Sequence, residues 1–426
     1  MKLSIRNVGK LKEADVEING ITVITGENDT GKSTVGKVLW SVFNGFYEID
    51  EKVYNEKVSE LEKIIVKKFI DEIINVYKNL STDYNSFFEI INSTVKKIAI
   101  ELLKNNKNYS EDEIKIIINN YKKDLKIENI SNFVQEINET LKISDKEIIK
   151  VIVSRIMNKE FHNQINAIFS REKMNIGEIS LKIKDKEIDL KIENNEISDV
   201  QNYFLINKET MYIDNPFILD SYDFEDENHQ THLATNVFSE NENSVISEIK
   251  VKKKLNNIYQ KLNSVLSGEI LENKNSKFVY RKNGEDIDLK NLSTGLKTFA
   301  IIKMLLQNGT LEENGTIILD EPEIHLHPEW QLKFAELIVL LQKEFSMHIL
   351  LTTHSPYFVS AIEVFSEKYK IDDKCKYYVA ENKGNSGVIK DITGNTNIIF
   401  KKMARPFQDL ENIRYTYDDE WYVEKV

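Results

Sequence analysis

Eight consecutive residues, Gly26-Glu27-Asn28-Asp29-Thr30-Gly31-Lys32-Ser33, have the spacing G-x-x-x-x-G-K-[ST]. Glycines at the two ends let the main chain turn its N–H groups inward around phosphate oxygens, and a helix starting just after them adds the positive end of its dipole. In such a loop Lys32 binds the β and γ phosphates of ATP, and the Ser33 hydroxyl ligates Mg²⁺. Gly26, Asn28, Gly31 and Thr34 complete the candidate nucleotide site. A short apolar strand, Ile21-Thr22-Val23-Ile24, precedes the loop, and a helix ending near Phe43-Asn44-Gly45 follows it. That strand–loop–helix context separates a phosphate loop from a chance match in an ordinary turn.

Three later segments carry further candidates. Thr316-Ile317-Ile318-Leu319-Asp320-Glu321 is an apolar strand ending in two carboxylates. Asp320 is placed to hold Mg²⁺ through water, and Glu321 to orient and deprotonate an attacking water. The plainer reading is that the two acids cap the next helix. Leu292-Ser293-Thr294-Gly295-Leu296-Lys297 precedes a helix that Ser293 and Thr294 can cap. Thr352-Thr353-His354-Ser355-Pro356 follows another apolar strand, and a lone histidine there is more often structural than chemical.

Three regions must position these residues. Residues 1–45 read as α/β, with alternation in Leu3–Val8 and Ala14–Ile18. Residues 46–177 read as a helical insertion that is free of proline, with apolar residues at helical spacing (Leu61, Ile64, Ile65, Phe69, Ile73, Ile74). Breaks at Leu80–Asp83 and Asn106–Asn108, and capping boxes at Ser110/Glu113 and Ser144/Glu147, predict several helices rather than one long coiled coil. Residues 178–426 return to α/β. Ile179–Ile183 with Ile188–Ile192 reads as a hairpin. A second hairpin at 278–289 turns at Asn283-Gly284, and a third follows Tyr377-Tyr378-Val379-Ala380. Met211–Asp214 reads as a strand, 221–244 as a polar loop and Ile246–Leu266 as a helix.

The composition narrows the function classes. A net charge of −12 argues against a polyanion-binding surface, since counterion release needs clustered Lys and Arg. The basic runs, Lys252-Lys253-Lys254 and Lys401-Lys402, are short enough to be solvated faces. A single cysteine, Cys375, excludes an internal disulfide framework and suits a reducing compartment. No apolar run approaches the ~20 residues of a membrane helix. The start of the sequence alternates like a strand rather than a signal segment, so a cytoplasmic location is expected.

Taken together, the motifs resemble the ABC ATPase heads of the RecF, SMC and OLD (overcoming lysogenization defect) group. Glu27–Thr34 is typical of that group, and the run Asp320-Glu321-Pro322-Glu323-Ile324-His325-Leu326-His327-Pro328 is similar to its OLD-like branch. The resemblance covers about residues 1–45 and 205–360. It implies an α/β, P-loop NTPase head of ABC type, binding ATP and Mg²⁺, that closes head to head as at least a dimer. On that resemblance Ser293 and Gly295 belong to a signature that reaches the γ phosphate bound by the opposite subunit. His354 takes the place of the switch histidine, and Glu321 is the catalytic acid. Gln164, Gln201 and Asn215 are candidates for the Q-loop residue, and Lys297 lies near where transporter subunits keep a glutamine. His325 and His327 are read as shaping a turn rather than binding metal, for want of a third ligand.

OLD proteins proper carry a TOPRIM nuclease, whose Asp-x-Asp pair is missing after Ser355. The chain therefore looks like the ATPase half of a split anti-phage system, as in Septu, PARIS or retron-linked ATPases. On that reading it controls a separate nuclease or toxin effector. The alternative is a RecF- or SMC-like DNA repair clamp, with DNA as partner. A transporter subunit fits the helical insertion poorly.

Overall fold

The computed structural model describes residues 1–77, 84–105, 107–121, 130–167, 176–220, 228–239, 258–273, 278–402 and 408–414. They form two compact units, one of Met1–Tyr47 with Val153–Val426 and one of Glu48–Ile152. The second unit thus ends at Ile152, inside a helix, whereas the helical insertion read from the sequence runs to 177.

The first unit is built on an eleven-stranded sheet. In its parallel half the order is β13 (Cys375–Lys383), β3 (Ile21–Gly26), β12 (His348–Thr353), β11 (Thr316–Asp320) and β7 (Thr210–Ile213). β3, β7 and β11 are buried at every position. A parallel strand covered on both faces needs an unbroken apolar run, which is what Ile317-Ile318-Leu319 and Ile349-Leu350-Leu351 supply.

The other half is β1 (Lys2–Val8), β2 (Leu11–Glu17), β4 (Gly177–Ile183), β5 (Lys186–Glu193) and β6 (Glu196–Gln201), joined antiparallel, with β14 (Ser386–Asp391) linking it to β13. Here burial alternates along the strands, so one face meets the core and the other meets water. A separate three-stranded sheet, β8 (Glu269–Glu272), β9 (Phe278–Lys282) and β10 (Glu285–Asp288), turns at Asn283-Gly284, where φ is positive at both residues.

Helices α1 (Lys32–Phe46), α7 (His229–Val237), α8 (Thr294–Gln307), α9 (Pro328–Phe345) and α10 (Pro356–Tyr369) belong to the same unit. α9 and α10 both open with proline in the first turn, where its missing N–H costs nothing. Phe299, Phe334 and Phe358 tie α8, α9 and α10 together in the core, with ring centroids 5.2 Å and 6.4 Å apart in sequence order. Full burial of each such ring contributes about 1.5–3 kcal/mol.

The second unit holds α2 (Ile49–Tyr77), α3 (Tyr84–Asn105), α4 (Glu111–Tyr121), α5 (Ser131–Lys142) and the start of α6 (Asp145–Glu160). Leu61, Ile64 and Ile65 meet Val95, Ile98, Leu102 and Ile137 in one core. Both capping boxes form: Ser110 N donates to Glu113 Oε2 at 2.9 Å, and Ser144 N to Glu147 Oε2 at 3.2 Å.

The fold class is the expected α/β one, a large mixed sheet with helices, and a second unit that is helical. One expected loop is corrected: within 221–244, residues 229–237 form α7, capped by Asn228, whose side chain accepts from Gln230 N and Thr231 N. The helix expected over Ile246–Leu266 is observed at 258–265, and its earlier part lies outside the described residues. So do the break at Leu80–Asp83, Lys252–Lys254 and the side chains of Phe69, Ile73 and Ile74.

Candidate functional site

The phosphate loop leaves the carboxyl end of β3, between β13 and β12 in the parallel half. Its shape depends on two glycines. Gly31 has φ +89°, a left-handed conformation that strains other residues, and a Cβ there would lie 2.6 Å from Leu11 Cδ2. A Cβ on Gly26 would lie 2.4 Å from the Ala380 carbonyl on the adjacent β13. Gly31 is also the N-cap of α1 and offers no side-chain acceptor, so the helix's first N–H groups are left for a ligand. Thr30 Oγ1 donates to the Glu27 carbonyl at 2.8 Å, closing the loop on itself. Asn28 is exposed, Ser33 and Thr34 are half-buried, and Lys32 is buried.

Three strand ends then converge on one cluster. Lys32 Nζ donates to the Glu27 carbonyl at 3.0 Å and lies 2.9 Å from His354 Nε2 and 3.7 Å from Glu321 Oε1. His354 Nε2 lies 2.6 Å from the same Glu321 oxygen. Burial lowers the Lys32 pKa, against the pull of Glu321 and Asp320. The His354 contact, opposed by burial and helped by Lys32, holds the Glu321 carboxyl below its ordinary range. Glu321 is therefore an ionised base at neutral pH, held by the groups that would contact a triphosphate. Its backbone has φ +50°, and its N–H donates to the Thr352 carbonyl at 3.1 Å.

Asp320 is buried beside it. Its Oδ2 accepts from Tyr212 Oη at 2.8 Å, and its Oδ1 accepts from Thr352 Oγ1. Burial, then Asp320 itself, drives the Tyr212 phenol far above its ordinary pKa, so it is the donor. Glu323 is also buried; Thr353 Oγ1 and His354 N (3.1 Å) donate to its Oε1. Burial raises the Glu323 pKa.

The expected residues fall into two groups. Lys32, Glu321 and His354 come together, with Asp320 joined to them through Thr352. Ser293 and Gly295 stand apart: among the described residues no hydrogen bond or ion pair links them to this cluster. Ser293 is the exposed N-cap of α8, yet its side chain makes no capping bond, and its hydroxyl has no hydrogen-bond partner among the described residues. Gly295 packs against Trp330 and the His325 carbonyl. Lys297 is buried, ion-paired with Asp220. His327 caps α9 by accepting from Glu329 N. Asn215 Oδ1 accepts from Phe217 N, and Gln201 donates to Asp199.

Sequence reasoning missed Tyr212, Thr352 and Glu323. The Thr352-Thr353 pair beside His354 was visible, but a hydroxyl's partner thirty residues away is not.

The oxygens of Ser33 and Asp320 suit Mg²⁺, a hard cation usually held by one or two protein oxygens plus substrate phosphates. Among the described residues no group of three or more His, Cys, Asp or Glu could hold a metal ion by itself.

A family model described as "AAA domain, putative AbiEii toxin, Type IV TA system" matches residues 21–360, and the chain belongs to this family. Over 107 residues the chain is 32% identical to "Retron Vc95 probable ATPase" of Vibrio cholerae serotype O1 biovar El Tor, covering 22% of this chain and 20% of that relative. The match thus spans about a fifth of the relative's length. Among solved structures, the SmcHead bound to the C-winged helix domain of ScpA aligns with TM-score 0.44 and 11% identity over 92% of this chain and 96% of the other. The SMC head domain from Thermotoga maritima aligns with TM-score 0.38 and 12% identity over 92% and 97%. No described helix is long and apolar enough to cross a membrane.

Proposed function

For this member of the AAA-domain family, we propose a slow Mg²⁺-dependent ATPase that acts as the regulatory subunit of an anti-phage defence complex, restraining a separate nuclease or toxin. The observation that carries the ATPase reading is the Lys32–His354–Glu321 triangle at the mouth of the phosphate loop. When ATP enters, Lys32 exchanges its protein partners for β- and γ-phosphate oxygens. Glu321 is then free to orient a water and take its proton, and His354 to donate to the γ phosphate. Ser33 and Asp320 would hold Mg²⁺, which supplies charge neutralisation on those phosphates when bound.

The unspent Ser293 hydroxyl and the start of α8 suit a γ phosphate presented by a second copy, so the working unit is at least a dimer. Support for the defence setting comes from the family's description and from the retron relative's name. A DNA clamp is the weaker reading, because a net charge of −12 disfavours a phosphate-binding face.

The test is Glu321→Gln. It should bind ATP, release no phosphate, and accumulate as a closed assembly in ATP. No ATP-dependent change in mass or compactness by light scattering and small-angle scattering would refute the two-headed closure. The intact chain should not cut plasmid DNA. Metal-dependent cleavage untouched by Glu321→Gln would overturn the separate-effector reading.

A further inference from the structure

Behind Asp320 lies a buried ionic layer that the ATPase chemistry does not itself call for. Tyr212 stands on β7, the strand beside β11, and its hydroxyl donates to Asp320 Oδ2 at 2.8 Å. The imidazole of His229 stacks on the Tyr212 ring, with centroids 4.3 Å apart and planes at 25°. His229 is 5% exposed. Its Nδ1 is 2.9 Å from both carboxylate oxygens of Glu160, and its Nε2 is 3.0 Å from Asp214 Oδ2. Glu160 also accepts from His229 N at 3.2 Å and has Lys37 Nζ at 3.8 Å.

The contributors come from four elements: α1, the end of α6, the start of α7 and the β7 edge. Burial works against the charge on His229, but Asp214 and Glu160 outweigh it and raise its pKa to about 9. The ring is therefore an imidazolium at neutral pH.

Such a cluster is a costly way to fill a core. A buried ion pair is often no better for stability than apolar residues of the same volume. What it offers is direction. Two donors, Tyr212 and Thr352, take one Asp320 oxygen each and leave the carboxylate one orientation. A cation on the face of a phenol draws density from the ring and makes the hydroxyl a stronger donor.

We infer that Tyr212, backed by His229 and Glu160, is a positioning residue for the Asp320 carboxylate: it fixes the orientation of the carboxylate that would hold the Mg²⁺ of the nucleotide complex. The inference rests on the proposed role of Asp320 as a Mg²⁺ ligand. Partners behind a metal ligand commonly alter metal affinity or activity 10–100-fold when removed.

Mn²⁺, read by electron paramagnetic resonance in the presence of a non-hydrolysable ATP analogue, is the probe. Tyr212→Phe should weaken Mn²⁺ in the ternary complex by about 10-fold and raise the Mg²⁺ needed for half-maximal hydrolysis by a similar factor. Excess Mg²⁺ should restore turnover, and analogue affinity in EDTA should stay unchanged. His229→Gln, which keeps Tyr212, should shift Mn²⁺ affinity in the same direction by less. Unchanged Mn²⁺ binding in both variants, with only the thermal midpoint lowered, would make the cluster a staple between elements and overturn the proposal, provided that Asp320→Asn loses Mn²⁺. Retention of Mn²⁺ by Asp320→Asn would instead remove the assignment on which the inference rests.

Discussion

In the parallel half of the large sheet, β3, β11 and β12 all point the same way, so the segments that leave them gather along one edge. Lys32, Glu321 and His354 are the residues gathered there. In the antiparallel half, each of β2, β1, β4, β5 and β6 runs opposite to its neighbours, so the segments that leave adjacent strands go to opposite edges. The exposed face of that half carries Ser4, Arg6, Glu178, Ser180, Asp189, Lys191 and Gln201 around a shallow cavity. Several of those groups are bonded to neighbouring side chains instead, as in Ser4 to Asp15 at 2.6 Å and Ser180 to Glu187 at 2.9 Å. Site formation thus follows strand direction rather than the number of polar groups.

The comparison breaks most visibly at Lys32. Lys32→Ala removes the buried ammonium that would bind two phosphates, and about 100-fold or more of ATP affinity should go with it. Labelled ATP bound as tightly as by the wild type would mean that the parallel edge is not a phosphate site. His354→Ala should lower turnover by about 100-fold or more while changing ATP affinity only about threefold, because its contact is with the transferring group. Equal losses in the two quantities would make it a structural histidine.

Stability separates the halves next. Ile317 and Ile318 are consecutive, and both are fully buried on opposite faces of β11. Each change to Ala should cost about 2–5 kcal/mol in chemical unfolding. On β5, Leu190→Ala should cost a similar amount, but its exposed neighbour Lys191→Ala should stay within about 0.5 kcal/mol. A large loss at Lys191 would mean that the antiparallel face is covered.

The sequence displayed the candidate residues of the parallel edge because each motif is local. The phosphate loop, the apolar run into Asp320-Glu321 and the segment ending in His354 are each complete within eight residues. Alternation likewise announced the hairpin of β4 and β5. Strand order was hidden, since nothing near Cys375 says that β13 pairs with β3 rather than extending the edge. α7 was hidden for another reason. Among its nine residues only Leu233, Ala234 and Val237 are apolar and buried, within an acidic, polar stretch. Besides the Asn228 cap, its first turn is held by His229 between Glu160 and Asp214, residues 69 and 15 positions earlier. Ion pairs at that separation leave no periodicity to read.

The smallest expected effect lies on the antiparallel half. Arg6 Nη2 meets Asp15 Oδ2 at 2.7 Å, one step diagonal to the directly opposed pair Ser4 and Asp15. Both side chains are more than a third exposed, at 35% and 40%, so solvent screens the pair and Arg6→Ala should cost only about 0.2–1 kcal/mol. Burial works to raise the Asp15 pKa, but hydrogen bonds from Ser4 and Arg6 outweigh it and hold the carboxyl below its ordinary 3.8. A depressed carboxylate stabilises the fold above its unfolded pKa, and that contribution is lost as pH falls through the folded value. The difference in thermal midpoint between wild type and Arg6→Ala should therefore be present at about pH 7, persist to about pH 5, and shrink as the pH falls below the ordinary 3.8 of the carboxyl. Added salt near 1 M should shrink it as well. ATP affinity and turnover should not change at all. A drop in either would show that the antiparallel half supports the nucleotide edge, and strand direction would no longer account for the division between the two.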